Sequence, residues 1–363
     1  MPYRIKPFAE ILKNAKSTVV YDNELAEEIE RRVARIGSDG KLLLDNNGEV
    51  YQVNLLEKLL VPLLSKLGNF VVDGGIWMNT QRPEWNDANN ALVGQGLSMV
   101  TLYYLRRYVS FLQQLLVEET EVILLSRNVN QWLLETSAAL TRMRSHLSTC
   151  DMSSDLRYRA LEELGLASSR YRERLYSGQI ANGKVSQKVG AVRSMLDDTL
   201  AAIDHSIAAN QRWDGLYHSY NLLDLKSGCL AIDTLYPMLE GQVAALSSGA
   251  IAPDQAVSLI ASLFDSEFFR TDQNTFMLYP DRKLPGFLAK NRVDHDQVLA
   301  IPVLTHMLAQ GDERIIMRDR AGCFRFNSGL TNIGDLHQRL ALTVQDYGKD
   351  LGDSIPSILT LYE

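Results

Sequence analysis

Residues 73–96 read DGGIWMNTQRPEWNDANNALVGQG. Glycine, asparagine, aspartate and a proline crowd into this run, together with Trp77 and Trp85. Such residues make poor helix and supply turns, close backbone approach and side-chain hydrogen bonds. The flanks are different. Residues 54–67 read as an apolar helix that stops at Gly68. Beyond the run, Leu97, Val100, Thr101, Tyr104, Leu105, Tyr108, Leu112 and Leu115 recur at spacings of three and four, one face of a long helix. A long polar and aromatic loop held between apolar helices is where binding chemistry tends to sit.

The pattern continues outward in both directions. Asp22 and Asn23 are N-cap residue types for a helix over 24–36, closed by Gly37. Its charged residues read as a solvated face, with Glu28 paired to Arg31 and Arg32. Residues 41–53 read as a hairpin turning at Asn46-Asn47-Gly48. C-terminal to the loop, the periodicity predicts helices over 121–148, 153–176, 184–209, 233–247, 253–264, 296–309 and 333–345. Residues 266–295 read as irregular, and 314–327 as a hairpin around Ala321-Gly322. The expected division is an opening segment at 1–20, a helical barrel-like region at 21–225 and a helical C-terminal region at 226–363 packed on the same domain.

Composition excludes several classes. The 363 residues are 46% hydrophobic and 22% charged, as in ordinary globular chains. The formal net charge is -7, which does not attract a phosphate backbone, so nucleic acid is not an expected partner. The sequence holds no apolar run of the roughly 18 residues that a membrane span needs. Cys150, Cys229 and Cys323 are far apart, without the spacing of a zinc site or a disulfide framework. A cytoplasmic protein with no metal and no cofactor is the expectation. No P-loop, GxGxxG after a strand, HExxH or GxSxG is present.

Trp85-Asn86-Asp87 followed by a helix resembles the segment that carries the general acid in (α/α)6-barrel carbohydrate enzymes of the cellobiose phosphorylase type. The family segment reads Gly-Asp-Trp-Asn-Asp-Gly-Met-Asn. Here Glu84 stands at its aspartate, Ala88 at its second glycine, and Asn89 or Asn90 near its last asparagine. The likeness covers about 30 residues of the chain. It implies a mainly α fold, an α/α toroid built of six helical hairpins, complete or partial, with short β-hairpins. It implies that Asp87 protonates the glycosidic oxygen of an oligosaccharide substrate. In that family about half of the barrel helices precede this segment, whereas here 72 residues precede Asp73. The expectation is therefore a part of a longer enzyme, or a diverged protein in which a second copy or a companion chain completes the barrel.

The chemistry of the residues agrees with that role. A carboxyl beside an aromatic wall that excludes water keeps its proton and can donate it to a poor leaving group. Trp77 and Trp85 offer flat faces for a sugar ring, while Arg82, Glu84, Asn86 and Asn89 offer partners for its hydroxyls. The competing reading makes Asp87 or Asn86 a helix cap and the tryptophans core anchors. A second aromatic cluster, WDGLYHSYN at 213–221, would close the site with Tyr217, His218 and Tyr220; packing roles for these three compete with that. Glu240 is the residue taken for the second carboxylate, with Asp73, Glu84 and Asp214 as rivals that spacing does not separate. A glycine-, serine- and threonine-rich phosphate loop is not evident, so water is expected as the attacking group rather than phosphate. The alternative function is a non-catalytic sugar-binding or assembly subunit.

Overall fold

The structure is a computed structural model that describes residues 2–79, 91–147, 152–178, 183–226, 228–280, 286, 289 and 292–362. The chain divides into two compact units, Met1–Asp281 and Arg282–Glu363. The first opens with β1 (Tyr3–Ile5), α1 (Phe8–Lys13), β2 (Val19–Tyr21), α2 (Asn23–Ile36) and α3 (Leu55–Leu67). Next come β3 (Phe70–Val71), β4 (Gly75–Trp77), β5 (Gly96–Ser98), α4 (Met99–Leu115), β6 (Val122–Ser126), α5 (Arg127–Leu147) and α6 (Ser154–Tyr176). It ends with β7 (Lys184–Lys188), α7 (Val189–Ala209), β8 (Tyr220–Lys226), β9 (Cys229–Thr234), α8 (Leu239–Ser247), α9 (Pro253–Phe264), β10 (Phe269–Arg270) and β11 (Thr275–Phe276). The architecture is mainly helical, with short antiparallel sheets. Among the described residues no helix is long and apolar enough to cross a membrane.

Local chemistry sets the helix ends. The Asp22 carboxylate accepts the Leu25 N–H to open α2, and Gly37 closes it at φ 73°. No residue of α2 is buried, in keeping with its charged face. Asn54 caps α3 by accepting the Glu57 N–H. Between α2 and α3 the expected hairpin is reduced to one bridge, Leu44 with Val50, around Gly48 at φ 80°.

One antiparallel sheet, in the order β3-β4-β5-β8-β9, ties distant parts of the unit together. The chain leaves it after β5, builds α4 to α7, and returns as β8, where Ser98 pairs with Tyr220 and Leu97 with Asn221. Within the excursion α5 packs on α6 and α7, and α4 packs on α7 and also on α8, which follows β9. The core is aliphatic and sealed: Leu60, Leu64, Leu102, Leu133, Leu164, Val192 and Ile203 are 0% exposed. Each such side chain contributes about 1.5–3 kcal/mol of burial free energy.

Four sequence expectations need correction. Residues 122–126 and 184–188 are strands, not the first turns of α5 and α7, and they pair with each other. Short apolar runs do not distinguish helix from strand, and a partner strand decides. The hairpin of β8 and β9 replaces the beginning of a helix assigned from 233; Pro237 disfavours helix just before it, and α8 starts at Leu239. The helix assigned to 296–309 is two helices, broken at Ile301 before Pro302. Lastly, α4 buries Met99, Leu102, Tyr103, Leu105, Val109 and Leu112, whereas Tyr104 and Leu115 are exposed, so its inner face is rotated from the one read off the spacing.

The second unit holds α10 (His295–Leu299), α11 (Pro302–Ala309), the hairpin of β12 (Ile316–Arg318) and β13 (Phe324–Phe326), and α12 (Ile333–Tyr362). The hairpin turns at Gly322 as expected, φ 83°. The helix read over 333–345 continues beyond a kink at Gly348, φ 58°. Val298, Leu304, Met307, Ile315, Leu336, Leu340, Leu351 and Ile358 form its core. Beside them Arg314 grips Asp312 through Nε at 2.9 Å and Nη2 at 2.7 Å, and reaches Asp346 through Nη1 at 2.7 Å. The Tyr347 hydroxyl donates to Asp312 at 2.9 Å. The Arg314 guanidinium holds the Asp312 carboxyl down at about 2, well below the ordinary carboxylate range. A depressed carboxylate stabilises the fold above its unfolded pKa, and that contribution is lost as the pH falls through the folded one. The thermal midpoint of this unit is therefore expected to fall between the ordinary aspartate range and pH 2. In Arg314→Met that part of the pH dependence should be flatter; parallel melting curves for the two proteins would refute it.

Candidate active-site cleft

The loop that follows β4 has a rigid stem. Beyond the Trp77–Leu97 pair, the Met78 N–H donates to Gly96 O at 2.9 Å and the Gly94 N–H donates to Met78 O at 2.7 Å. The Trp77 indole N–H donates to Gly94 O at 3.1 Å. Gly94 turns at φ 90°, a conformation other residues rarely adopt. The stem thus fixes where the chain departs at Asn79 and where it returns at Ala91, on a sheet whose neighbouring strand begins at Tyr220.

A cleft of about 440 Å3 opens at this stem, and Asn79 and Val93 both line it. Its polar groups come from three places. Lys66 and Asn69 lie at the end of α3, Ser98 and Thr101 at the start of α4, and Ser168 and Arg172 one turn apart on α6. The Asn79 amide is buried and donates to Asn69 Oδ1 at 2.7 Å. Arg172 Nη1 donates to Ser168 Oγ at 2.9 Å, and burial pulls this guanidinium below its ordinary pKa. One wall is aromatic: Trp132 from α5 and Tyr171 from α6 stack with centroids 4.3 Å apart and planes 20° apart. Apolar faces beside amides and cations suit a ligand with both apolar faces and many hydroxyls.

Arg82, Glu84, Trp85, Asn86, Asp87 and Asn89 lie outside the described residues. Trp77 lines the cleft, but it is 2% exposed and packs edge-on against Phe8, with centroids 6.3 Å apart. Tyr217, His218 and Tyr220 precede or begin β8, and none of them is among the described residues that line the cleft. Tyr217 is buried edge-on against Tyr103, and its backbone exchanges two hydrogen bonds with the Gln242 amide. Tyr220 is buried in a small cluster with Leu92 and Met238, against which Met78 packs. His218 is half-buried; burial, and then the Arg212 charge, hold its pKa below the usual value, and its Nδ1 lies 3.1 Å from Leu235 O. Of the two aromatic clusters, Trp77 on β4 and Tyr220 on β8 stand in the same sheet.

The carboxylates considered for the second catalytic role are differently placed. Glu240 sits half-buried in the first turn of α8. Asp214 is gripped by Arg212, whose Nη2 donates at 2.8 Å. Burial alone would raise Asp214, but the bonds from Arg212 and the Leu216 N–H hold it below its ordinary value. Asp73 takes two N–H bonds from Arg157 on one oxygen, at 2.8 and 3.1 Å. Its other oxygen lies 3.2 Å from His205 Nε2 without hydrogen-bond alignment.

Lys66, Asn69, Trp132, Ser168, Tyr171 and Arg172 carry no motif, and sequence reading passed over them. Trp132 offered the strongest signal, as a further tryptophan inside a helical pattern. The rest converge only through the packing of α3, α5 and α6.

Comparison with known proteins bears on the second unit. Residues 284–363 match the family model of GH149 phosphorylase insertion domain 2. No curated protein matches the chain. The match relates this C-terminal part to the glycoside hydrolases and phosphorylases, and it ends short of the cleft-bearing unit.

Proposed function

We propose that the protein is a carbohydrate-active enzyme that cleaves or transfers a glycosidic bond in an oligosaccharide. The observation that carries this reading is the match of residues 284–363 to a phosphorylase domain. The stem of the 80–90 segment, standing at the mouth of a polar and aromatic cleft, supports it. Asp87 is the general acid, as its likeness to the cellobiose phosphorylase segment implies, and an α/α-toroid-like barrel goes with that likeness. Trp85 and Trp77 are the sugar platforms of this reading. Arg82, Glu84, Asn86 and Asn89 bind hydroxyls or hold Asp87. Tyr217, His218 and Tyr220, which do not line the described cleft, are the residues this reading assigns to the far side, and Glu240 is its second carboxylate. The enzyme is cytoplasmic in this reading, and a second copy or a companion chain completes the barrel.

Two nucleophiles fit the reading. Water is favoured by the lack of a glycine-rich phosphate loop in the sequence. Phosphate is favoured by the phosphorylase match and by the presence of Lys66 and Arg172 in the cleft. The test is product analysis on a panel of oligosaccharides, with and without added phosphate. New reducing ends without phosphate mean hydrolysis, and a sugar phosphate formed only with phosphate means phosphorolysis. Tight binding of the same sugars with no product in either arm would replace the enzyme by a sugar-binding subunit.

A further inference from the structure

The first unit has a second cavity, of about 250 Å3, which shares Tyr171 with the cleft and otherwise stands outside the proposed reaction. Val53, Val61, Val129 and Leu175 give it mainly aliphatic walls, Tyr51 and Tyr171 add two rings, and Ser126 and Asn128 are its neutral polar lining. One acid, Glu57, also lines it. Glu57 is 2% exposed. Its Oε2 accepts the Ser126 N–H at 2.8 Å. Its Oε1 accepts no hydrogen bond among the described residues, yet it is not one of the atoms sealed from solvent.

Among the described residues no lysine, arginine or histidine forms an ion pair with Glu57, so none of them serves the carboxylate as counter-ion. Lys58 borders the cavity but is exposed, where water screens it. The Tyr171 phenol is pushed up to about 12, first by burial and then by Glu57 and Tyr51. The Tyr51 hydroxyl is paired with the Ser126 hydroxyl at 2.7 Å. A carboxyl oxygen that faces a largely apolar cavity and takes no bond from the described residues is matched best by a donor of opposite charge.

We propose that this cavity binds a small organic ammonium ion. A primary ammonium group donates to Glu57 Oε1, and its alkyl body lies among the valines and Leu175. The faces of Tyr51 and Tyr171 add attraction for the cation. An anion is excluded by the charge of Glu57. A sugar is disfavoured because the aliphatic walls leave most of its hydroxyls without partners.

The test is a ligand-observed NMR titration of the whole chain at pH 7 with n-butylammonium chloride, and with n-butanol as the uncharged comparison. Saturable binding of the ammonium is expected, roughly tenfold or more tighter than the alcohol. In Glu57→Gln that preference should disappear; the glutamine still offers an oxygen to the Ser126 N–H, so the fold keeps this bond. Val53 lines the cavity and is 36% exposed, so Val53→Trp is a second variant that adds bulk to the cavity wall at a position outside the core. It should abolish ammonium binding with an unchanged melting midpoint. Equal binding of alcohol and ammonium, or a preference that survives Glu57→Gln, would overturn the proposal.

Discussion

Asp87→Asn is expected to slow cleavage of an unactivated oligosaccharide by about 10²–10⁴-fold, the usual contribution of a positioned general acid. The reason is the leaving group. An alkoxide departs from the anomeric carbon only when its oxygen gains a proton as the bond breaks, and asparagine has none to give. Substrate affinity should change little, because the amide keeps the size and the hydrogen-bonding reach of the carboxyl. The discriminating measurement uses an aryl glycoside whose phenol departs readily without protonation. The same variant should lose far less rate on that substrate. An equal loss on both would show that the substitution disturbs the site rather than removing an acid, and unchanged rates on both would remove Asp87 from the mechanism.

What the sequence disclosed follows the range of the interactions involved. Helix ends were legible because they rest on contacts within a few residues: the Asp22 carboxylate and Leu25 N–H, or Gly37 in its left-handed turn. The hairpin at 316–326 was legible for the same reason, since Gly322 and its flanks are neighbours in the chain. Strands β6 and β7 were not, because Leu124 and its partner Ser186 meet across two whole helices. The candidate site divides along the same line. The 73–96 run announces itself by composition, and its stem bonds, Met78 with Gly94 and Gly96, are local. The opposite wall is assembled from Lys66, Trp132, Tyr171 and Arg172, which are ordinary helix residues until three helices pack. A buried acid such as Glu57 was equally silent, because its position at the start of α3 reads as a first-turn glutamate that favours any helix.

The turn that launches the stem depends on a single charged partner from a distant helix, and removing that partner should cost the fold heavily. Asp73 stands at φ 63°, in the left-handed region, between β3 and β4. Its polar groups are tied to other elements. The Asp73 N–H donates to Ser206 Oγ at 3.0 Å, and the Asn210 amide donates to Asp73 O at 2.7 Å. The Asn221 amide donates to Gly74 O at 2.9 Å and to Asn210 Oδ1 at 2.8 Å. The side chain of Asp73 is 12% exposed, and Arg157 from α6 supplies its hydrogen-bonded cation. Arg157→Met leaves that carboxylate largely out of water beside a histidine it does not bond, a loss of about 3 kcal/mol by the measure of other broken buried pairs. For a unit that runs from Met1 to Asp281 the melting midpoint should fall by roughly 5 °C. The double variant Asp73→Asn with Arg157→Met should lie closer to wild type than the single one. Asparagine tolerates the left-handed turn and carries no charge to strand. If instead the double variant melts no higher than Arg157→Met, the lost packing of the arginine stem, rather than the uncompensated carboxylate, holds this corner of the unit together.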